Sequence, residues 1–453
     1  MKCILKKAAM AVSLVSLLSA CTKETVKEVT IEKPVPVPSV SSVDAPMKDV
    51  TVVVDPATMS AEELALAGEQ LITPTTFMYA DGVFDVALSK DPQNLRARFY
   101  KSFLKQFMVF KGVSYRLESY RAKIDPGVEK KFAKERADIR EESLRDFLYS
   151  KNAGSPFVKD TDIQDLMVSY REGVNSFRVF LRKELSNSNS QEFIINLNPY
   201  LMTPFISERE SQYCSSRYIQ HLAKNPDQKV FTCHLADSNK IKIAPADALV
   251  LSQYAAGWVL YLGLTTSHSW DGLGKLYRIQ RHKKLTHSQG SEFLRQQENF
   301  GILRKDHRLG LMTELGSDLL AATKWVMANQ TSLCPEGRAV SYQRYGHLFE
   351  QGICIEDEAK QKVNKDLSIL EMALKGITGI EMDFAGDDKK VMAKVDAFAW
   401  ARNPIQDIKT LIPTEYNECD EATEHPDPTM GGIFVDPEHK PIPKGKLPSS
   451  KCK

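Results

Sequence analysis

The chain has 453 residues, of which 42% are hydrophobic and 26% charged, a composition typical of a folded protein with room for two or three domains. Its 60 Lys and Arg residues almost balance its 58 Asp and Glu residues, so the net charge is +2 at neutral pH. This balance excludes the protein-wide basic footprint that nucleic-acid binding requires, and no nucleic-acid partner is predicted.

The first twenty-one residues have the organisation of a secretory signal. A start containing three lysines precedes a short apolar run over residues 8–18, which ends at Leu18-Ser19-Ala20-Cys21. This small-residue site ending on cysteine resembles the lipobox of bacterial lipoproteins. The resemblance implies that residues 1–20 are removed and that Cys21 becomes the lipid-bearing first residue. The alternative is an ordinary signal peptide with a chance cysteine.

Residues 21–58 are predicted to form a tether behind the lipid. Prolines alternate with valines over residues 34–38, and proline favours the semi-rigid polyproline II conformation. Neither Thr22 nor Lys23 is the Asp that commonly retains lipoproteins in the inner membrane. The resemblance therefore implies a lipid anchor in the outer membrane, facing the periplasm.

Six cysteines remain once Cys3 leaves with the signal and Cys21 takes the lipid. In an oxidising compartment an even number of cysteines predicts disulfides, and six cysteines allow fifteen connectivities. We favour the local pairs, which close loops of roughly 20 to 30 residues. A zinc site is the rival interpretation, but no Cys-x-x-Cys pair occurs. The favoured pairs are Cys214 with Cys233, Cys334 with Cys354, and Cys419 with Cys452.

Residues 59–150 carry a pattern of small and aromatic residues at helical spacing, beginning after a predicted helix cap at Ser60. The pattern resembles a tetratricopeptide repeat, and the dipeptide Asp91-Pro92 recurs 34 residues later as Asp125-Pro126, which is the period of that repeat. Two unrelated helical hairpins are the alternative. The positions that match the repeat are Gly68, Ala80, Phe84, Ala87 and Pro92.

Residues 151–411 are predicted to form a helical domain. An apolar stripe at steps of three and four runs over residues 162–185. The most apolar stretch, 245–264, is interpreted as a central helix buried on all sides, with a transmembrane helix as the alternative. Alternating residues at 229–235 and 240–243 allow a small β-hairpin. Residues 271–301 are basic and polar.

The last segment, residues 412–453, is rich in proline and turn residues. It is predicted to be an extended, surface-bound tail held by Cys419 and Cys452.

Histidines and carboxylates are the candidates for chemistry. His282 and His287 are five residues apart, which does not suit a metal site on a helix. The residues of Ser267-His268 are expected to point apart, because neighbours do so on a regular element. The run Gly310-Leu311-Met312-Thr313 faintly resembles lytic transglycosylases, which need a catalytic Glu-Ser upstream. The upstream candidates here are Glu292 and Glu298, and neither fits, because Phe293 and Asn299 follow them.

The sequence therefore predicts an all-α protein, a tetratricopeptide-like array of helical hairpins extended by further helices. Its predicted role is that of a membrane-anchored binding or scaffold lipoprotein, whose partner is another envelope protein or peptide held on the concave face of the array between residues 64 and 120. No catalytic residue, cofactor or metal is predicted. A cell-wall hydrolase is the alternative.

Overall fold

The structure is a computed structural model. It describes the following residues: 56–72, 77–124, 129–139, 142–186, 193–195, 241–329, 357–382, 391–417, 420, 422–424, 426–427 and 429–435. Over these residues the chain is mostly helical, as an all-α fold requires.

Thirteen α-helices lie in the described ranges. They are α1 (Ala61–Gln70), α2 (Phe77–Lys90), α3 (Leu95–Met108), α4 (Val113–Ile124), α5 (Glu129–Asp138), α6 (Glu142–Leu148), α7 (Asp160–Phe180), α8 (Pro245–Thr265), α9 (Leu273–His282), α10 (His287–Gln296), α11 (Leu311–Ala328), α12 (Asp357–Lys375) and α13 (Ala399–Arg402). Short 3-10 turns lie at Lys151–Ala153 and Ile408–Leu411.

The helices α1, α2 and α3 form the N-terminal layer. Ser60 caps α1 as predicted, since its hydroxyl accepts from the Glu63 amide while the Glu63 carboxylate accepts from the Ser60 amide. Asn94 caps α3 in the same way through the amide of Ala97. Large side chains that are fully buried fill the space between these three helices, among them Leu64, Phe84, Tyr100 and Leu104.

Two long helices, α7 and α8, connect this layer to the other described helices. Helix α7 packs against α3 on one side and α8 on the other, so these contacts cross the boundary predicted at residue 150. The predicted apolar stripe over 162–185 is present, but α7 ends at Phe180 and continues as a π-helical turn, Leu181–Leu185. The wider turn keeps both Leu181 and Leu185 in the core.

Helix α8 is central but not buried on all sides. It packs against α7, α11 and β2, whereas Tyr254 and Tyr261 on its remaining face are 64% and 47% exposed. Within the described ranges it is the one helix whose length and apolar composition would allow it to cross a membrane.

Strands pair two at a time and form no larger sheet in the described ranges. Strand β1 (Phe193–Ile195) runs antiparallel to β2 (Ile241–Ile243), so the partner of the predicted strand at 240–243 is a segment earlier than 229–235. Residues 229–235 lie outside the described residues. The other pairs are β3 (Thr378–Met382) with β4 (Val391–Val395), and β5 (Glu415–Tyr416) with β6 (Ala422–Glu424).

The second predicted repeat is assembled differently from the first. Helix α3 packs mainly against α1, α2 and α7, whereas α4 packs against α5, α6 and α9. The dipeptide Asp125-Pro126 lies outside the described residues. The first hairpin, α1 with α2, is therefore followed by two helices that turn to separate neighbours.

The described part of the predicted tail lies on the surface of the helical body. Pro413 accepts a hydrogen bond from Arg295 on α10 at 2.6 Å, and the Tyr416 hydroxyl lies 2.5 Å from the Ser291 hydroxyl. Asp420 accepts from the amides of His287 and Ser288, which are the first residues of α10. A carboxylate at that end of a helix satisfies amides that have no partner within the helix.

Candidate functional site

The five residues that match the repeat motif lie together at the α1–α2 hairpin. Ala80, Phe84 and Ala87 are fully buried along α2, and Gly68 of α1 lies under the Phe84 ring. Pro92 lies in the turn between α2 and α3. These side chains set the distance between helices, so their role is structural.

The face on which a repeat groove was predicted is partly filled. Arg96 of α3 makes ion pairs with Glu62 and Glu69 of α1, both at 2.9 Å, and donates to the Ile194 carbonyl of β1 at 3.0 Å. The Phe193 ring of β1 lies 5.1 Å from the Phe99 ring of α3. Strand β1 and these ion pairs thus cover part of the surface of α3.

The lipid attachment site, Cys21, lies outside the described residues. The same is true of the six cysteines of the predicted disulfides, Cys214, Cys233, Cys334, Cys354, Cys419 and Cys452, so these assignments stay predictions.

Neither acid considered for hydrolysis is placed like a general acid. The Glu292 carboxylate accepts from Arg295 and Gln296, and these hydrogen bonds lower its pKa, whereas a general acid needs a raised pKa. Glu298 is exposed, and its backbone carbonyl accepts from Lys409.

The expectation that Ser267 and His268 point apart is wrong. Their Oγ and Nδ1 atoms lie 2.8 Å apart, because the chain is irregular after the end of α8. The other ring nitrogen, Nε2, lies 2.8 Å from the Ile405 carbonyl, which makes Nε2 the protonated nitrogen and Nδ1 the acceptor. Both residues are buried, and a carbonyl holds the ring where a catalytic triad has a carboxylate, so the pair is a structural contact.

A basic cleft of about 300 Å³ opens where α4, the start of α7 and the start of α9 meet. We call it the basic cleft and define it by its lining residues, Tyr120, Lys123, Val158, Lys159, Asp160, Asp271, Gly272, Gly274, Lys275, Arg278 and Gln297. They come from four separate stretches of the chain.

Glycine shapes the wall of the basic cleft at the start of α9. Gly272 has a φ of 95°, in the left-handed region that favours glycine. A Cβ at this position would stand 2.6 Å from Cγ of Gln297. Glycine therefore allows the chain to turn into α9 while the end of α10 lies directly against it.

The floor of the basic cleft is the carboxylate of Asp160, the first residue of α7. One oxygen accepts a short hydrogen bond from the Tyr120 hydroxyl, and the other accepts from the Gly274 amide at 3.1 Å. Burial and the hydrogen bond to Asp160 raise the pKa of Tyr120, so the phenol stays protonated and donates. Both oxygens of Asp160 are thus engaged by neutral donors.

The second acid of the basic cleft is engaged in a similar way. Asp271 accepts from the side-chain amide of Asn299 at 3.2 Å. Neither Asp160 nor Asp271 forms an ion pair within the described residues.

Four cationic side chains line the same space, from α4, from the residue before α7, and from α9. They are Lys123, Lys159, Lys275 and Arg278, all exposed. In the part of the chain that the structure describes, none of the four has a carboxylate within ion-pair distance. Arg278 donates to the Lys123 carbonyl at 3.3 Å, and Lys275 lies over the Phe293 ring at 5.6 Å. Among the described residues, no ion pair neutralises the charge of this group.

A buried polar residue holds the chain segment that leads into the basic cleft. Gln164, one turn after Asp160 on α7, is fully buried and donates to the carbonyls of Thr266 and His268. Its side-chain oxygen accepts from the Trp270 amide and from Arg304. With every polar atom satisfied, Gln164 fixes the segment between α8 and α9 relative to α7.

Arg171, two turns further along α7, extends this network. It is 1% exposed and donates to the Thr266 hydroxyl at 3.1 Å, the Asp306 carbonyl at 3.3 Å and Glu172 at 2.9 Å. The scaffold behind the basic cleft is therefore held by directional hydrogen bonds as well as by apolar packing.

Comparison with protein-family models, curated proteins and solved structures finds no match to this chain. The geometry of the site is therefore the basis on which a function is assigned.

Sequence reasoning missed the basic cleft. The one available signal was the basic stretch 271–301 with Gly272 and Gly274 near its start. That signal does not show that Tyr120, Lys123 and Asp160, more than a hundred residues earlier, lie beside it.

Proposed function

We propose that this protein is a lipid-anchored helical scaffold of the bacterial envelope that binds an anionic envelope component in the basic cleft. The lipobox-like Leu18-Ser19-Ala20-Cys21 and the proline-rich tether support the anchor. The observation that carries the binding role is the meeting of four cationic side chains with no carboxylate partner among the described residues.

The surroundings support binding more than catalysis. The basic cleft lies on a helical body, and the chain entering α9 is held by Gln164 through three hydrogen bonds. Because the backbone that carries Lys275 and Arg278 is held in place, only their side chains need to become ordered when a negatively charged partner binds. The tetratricopeptide-like relation of α1 and α2 remains a proposal, supported by the contact of Gly68 with Phe84.

The test places a photo-crosslinking amino acid at Lys123 on the rim of the basic cleft, in the lipidated protein inside living cells. A matched position is Tyr79 on α2, which is 66% exposed and outside the cleft. We expect an adduct from position 123 and none from position 79, and the mass of the adduct shows whether it is lipid, glycan or peptide.

The adduct should also disappear when Lys275→Gln and Arg278→Gln are combined. Equal adducts from the two positions, or an adduct that survives this double variant, would overturn the proposed function.

A further inference from the structure

We infer that the ligand of the basic cleft is a phosphate monoester dianion. The inference rests on the proposed function and names the ligand class of the same site. It is carried by the charges that line the cleft, the partners of its acids and its shape.

The charge of the lining matches a dianion. Among the lining residues, Lys123, Lys159, Lys275 and Arg278 stand against the two carboxylates of Asp160 and Asp271, which gives the lining two net positive charges, and Asp162 outside it acts on Lys159. A ligand with a single carboxylate carries one negative charge and would leave one positive charge of the lining uncompensated. A phosphate monoester carries close to two at neutral pH, because its second pKa is about 6.

The acids of the basic cleft do not compete for these cations. Asp160 is held by Tyr120 and by the Gly274 amide, and Asp271 by Asn299. Because the Gly274 amide at the start of α9 already donates to Asp160, we expect the side-chain cations to provide most of the recognition of the anion.

The donor types also suit phosphate. A guanidinium offers two parallel N–H groups to two phosphate oxygens, and lysines add mobile point charges around the third. The Nη1 nitrogen of the Arg278 guanidinium donates to the Lys123 carbonyl at 3.3 Å, which joins α9 to α4 across the cleft and leaves the Nε and Nη2 edge for two phosphate oxygens. The two helices therefore present their cations from opposite sides.

The volume of the basic cleft limits the size of the ligand. A volume of about 300 Å³ lies at the lower end of the range for small-molecule sites and admits a phosphate with a small group attached.

Two lysines, Lys283 and Lys284, follow directly after the end of α9. Both are exposed, and neither lines the basic cleft. These two lysines provide a matched control, since they have the same charge on the same segment.

The experiment measures binding of glycerol phosphate to the full-length lipidated protein in neutral detergent by titration calorimetry. We expect saturable binding to one site. The Lys275→Gln, Arg278→Gln double variant should weaken it about tenfold or more, since two charge-assisted hydrogen bonds are lost. The Lys283→Gln, Lys284→Gln control should change it by less than about twofold, because exposed charges outside the site are screened. An equal loss in both variants would show non-specific attraction and overturn the inference.

Two further arms identify the source of the phosphate and the alternatives. Phosphatidic acid in the same detergent presents the same monoester on a lipid, and competition with glycerol phosphate shows that a headgroup occupies the site.

A hexaglutamate peptide presents carboxylates. Tighter binding of the peptide than of glycerol phosphate, lost in the cleft double variant, would reject phosphate and leave anion binding standing. No binding of any of the three probes would remove both the inference and the proposed function.

Discussion

The ring of Phe84 lies so close over Gly68 that a Cβ at position 68 would stand 2.6 Å from Cε1 of the ring. Gly68 belongs to α1 and Phe84 to α2, and the ring is fully buried and stacked on Tyr100 of α3, with centroids 5.1 Å apart. The missing side chain therefore sets how closely the first two helices approach and where the third one packs.

Gly68→Ala is expected to destabilise the protein. The added methyl overpacks a buried interface, which costs about 1–3 kcal/mol, against roughly 1 kcal/mol that alanine gains over glycine inside a helix. The net loss should appear as a lower midpoint of urea unfolding with an unchanged slope.

The matched control for this prediction is Gly257→Ala on α8. A Cβ on Gly257 would have no other group within 4 Å, so alanine there adds helix propensity without a clash. We expect the free energy of unfolding to stay equal or to rise by up to about 1 kcal/mol. A similar loss at both positions would show that the contact with Phe84 is not the cause.

The elements that depend on local pattern were predictable. The cap at Ser60 and the apolar stripe of α7 both follow from residues within one or two helical turns of one another. The π-helical turn at Leu181–Leu185 could not be predicted from the sequence, because its apolar residues continue the apolar stripe of α7.

The candidate site depends on contacts between distant residues. Gln164 is a polar residue on an amphipathic helix, which normally indicates a solvated position, yet it is fully buried because the chain after α8 brings it four partners. In the basic cleft, Asp160 and Gly274 are 114 residues apart in sequence. One sequence contains no signal that pairs them.

Arg178 is expected to be a costly charged residue to remove from α7. Its side chain is 3% exposed, and it joins α7 to α11 through Asp318 and through Glu314 at 2.9 Å. Arg178→Met keeps an apolar stem but leaves the partly buried Asp318 without its main partner. We expect a loss of about 3 kcal/mol in the free energy of unfolding by chemical denaturation.

Arg182→Met is the comparison for Arg178. Arg182 also reaches Asp318, at 2.8 Å, but its side chain is 32% exposed and the contact lacks hydrogen-bond geometry. The expected loss is below about 1 kcal/mol, as for exposed ion pairs. Equal losses in the two variants would contradict the assignment of the buried pair to Arg178.

Thiol labelling tests the predicted disulfides. The mature protein, denatured without reductant, should show few free thiols among Cys214, Cys233, Cys334, Cys354, Cys419 and Cys452. After reduction all six should label, and the protein should unfold at lower denaturant concentration, since each closed loop contributes about 3 kcal/mol. Six labelled thiols before reduction would reject the disulfides, and protection removed by a chelator alone would favour zinc.

Cys21→Ser tests the lipid anchor. Without the thiol no lipid is attached and the signal is not cut before residue 21, so the variant should carry no acyl chain and should run as an unprocessed precursor. Metabolic labelling with a fatty acid and gel mobility measure the two effects. An acylated product of unchanged size would refute the lipobox assignment, and Cys3→Ser serves as the control because that residue leaves with the signal.

His268 is expected to make the protein less stable as the pH falls below neutrality. Burial lowers the pKa of its imidazole, and neighbouring His307 lowers it further, while the Ile405 carbonyl and Asp407 act in the opposite direction. The ring also faces the Ser267 hydroxyl and the Trp400 indole. Below the unfolded-state pKa of about 6.5, the unfolded chain binds a proton that the folded chain does not, so the free energy of unfolding decreases with falling pH until the folded pKa is passed.

His268→Gln should reduce this pH dependence between about pH 7 and pH 5, since glutamine does not titrate and its amide can still donate to the Ile405 carbonyl. His282→Gln, at an exposed position at the end of α9, should leave it unchanged. Urea unfolding at a series of pH values measures the slope for each protein. If the slope of the His268→Gln variant equals that of the wild type, the buried neutral imidazole is not the group that links stability to pH.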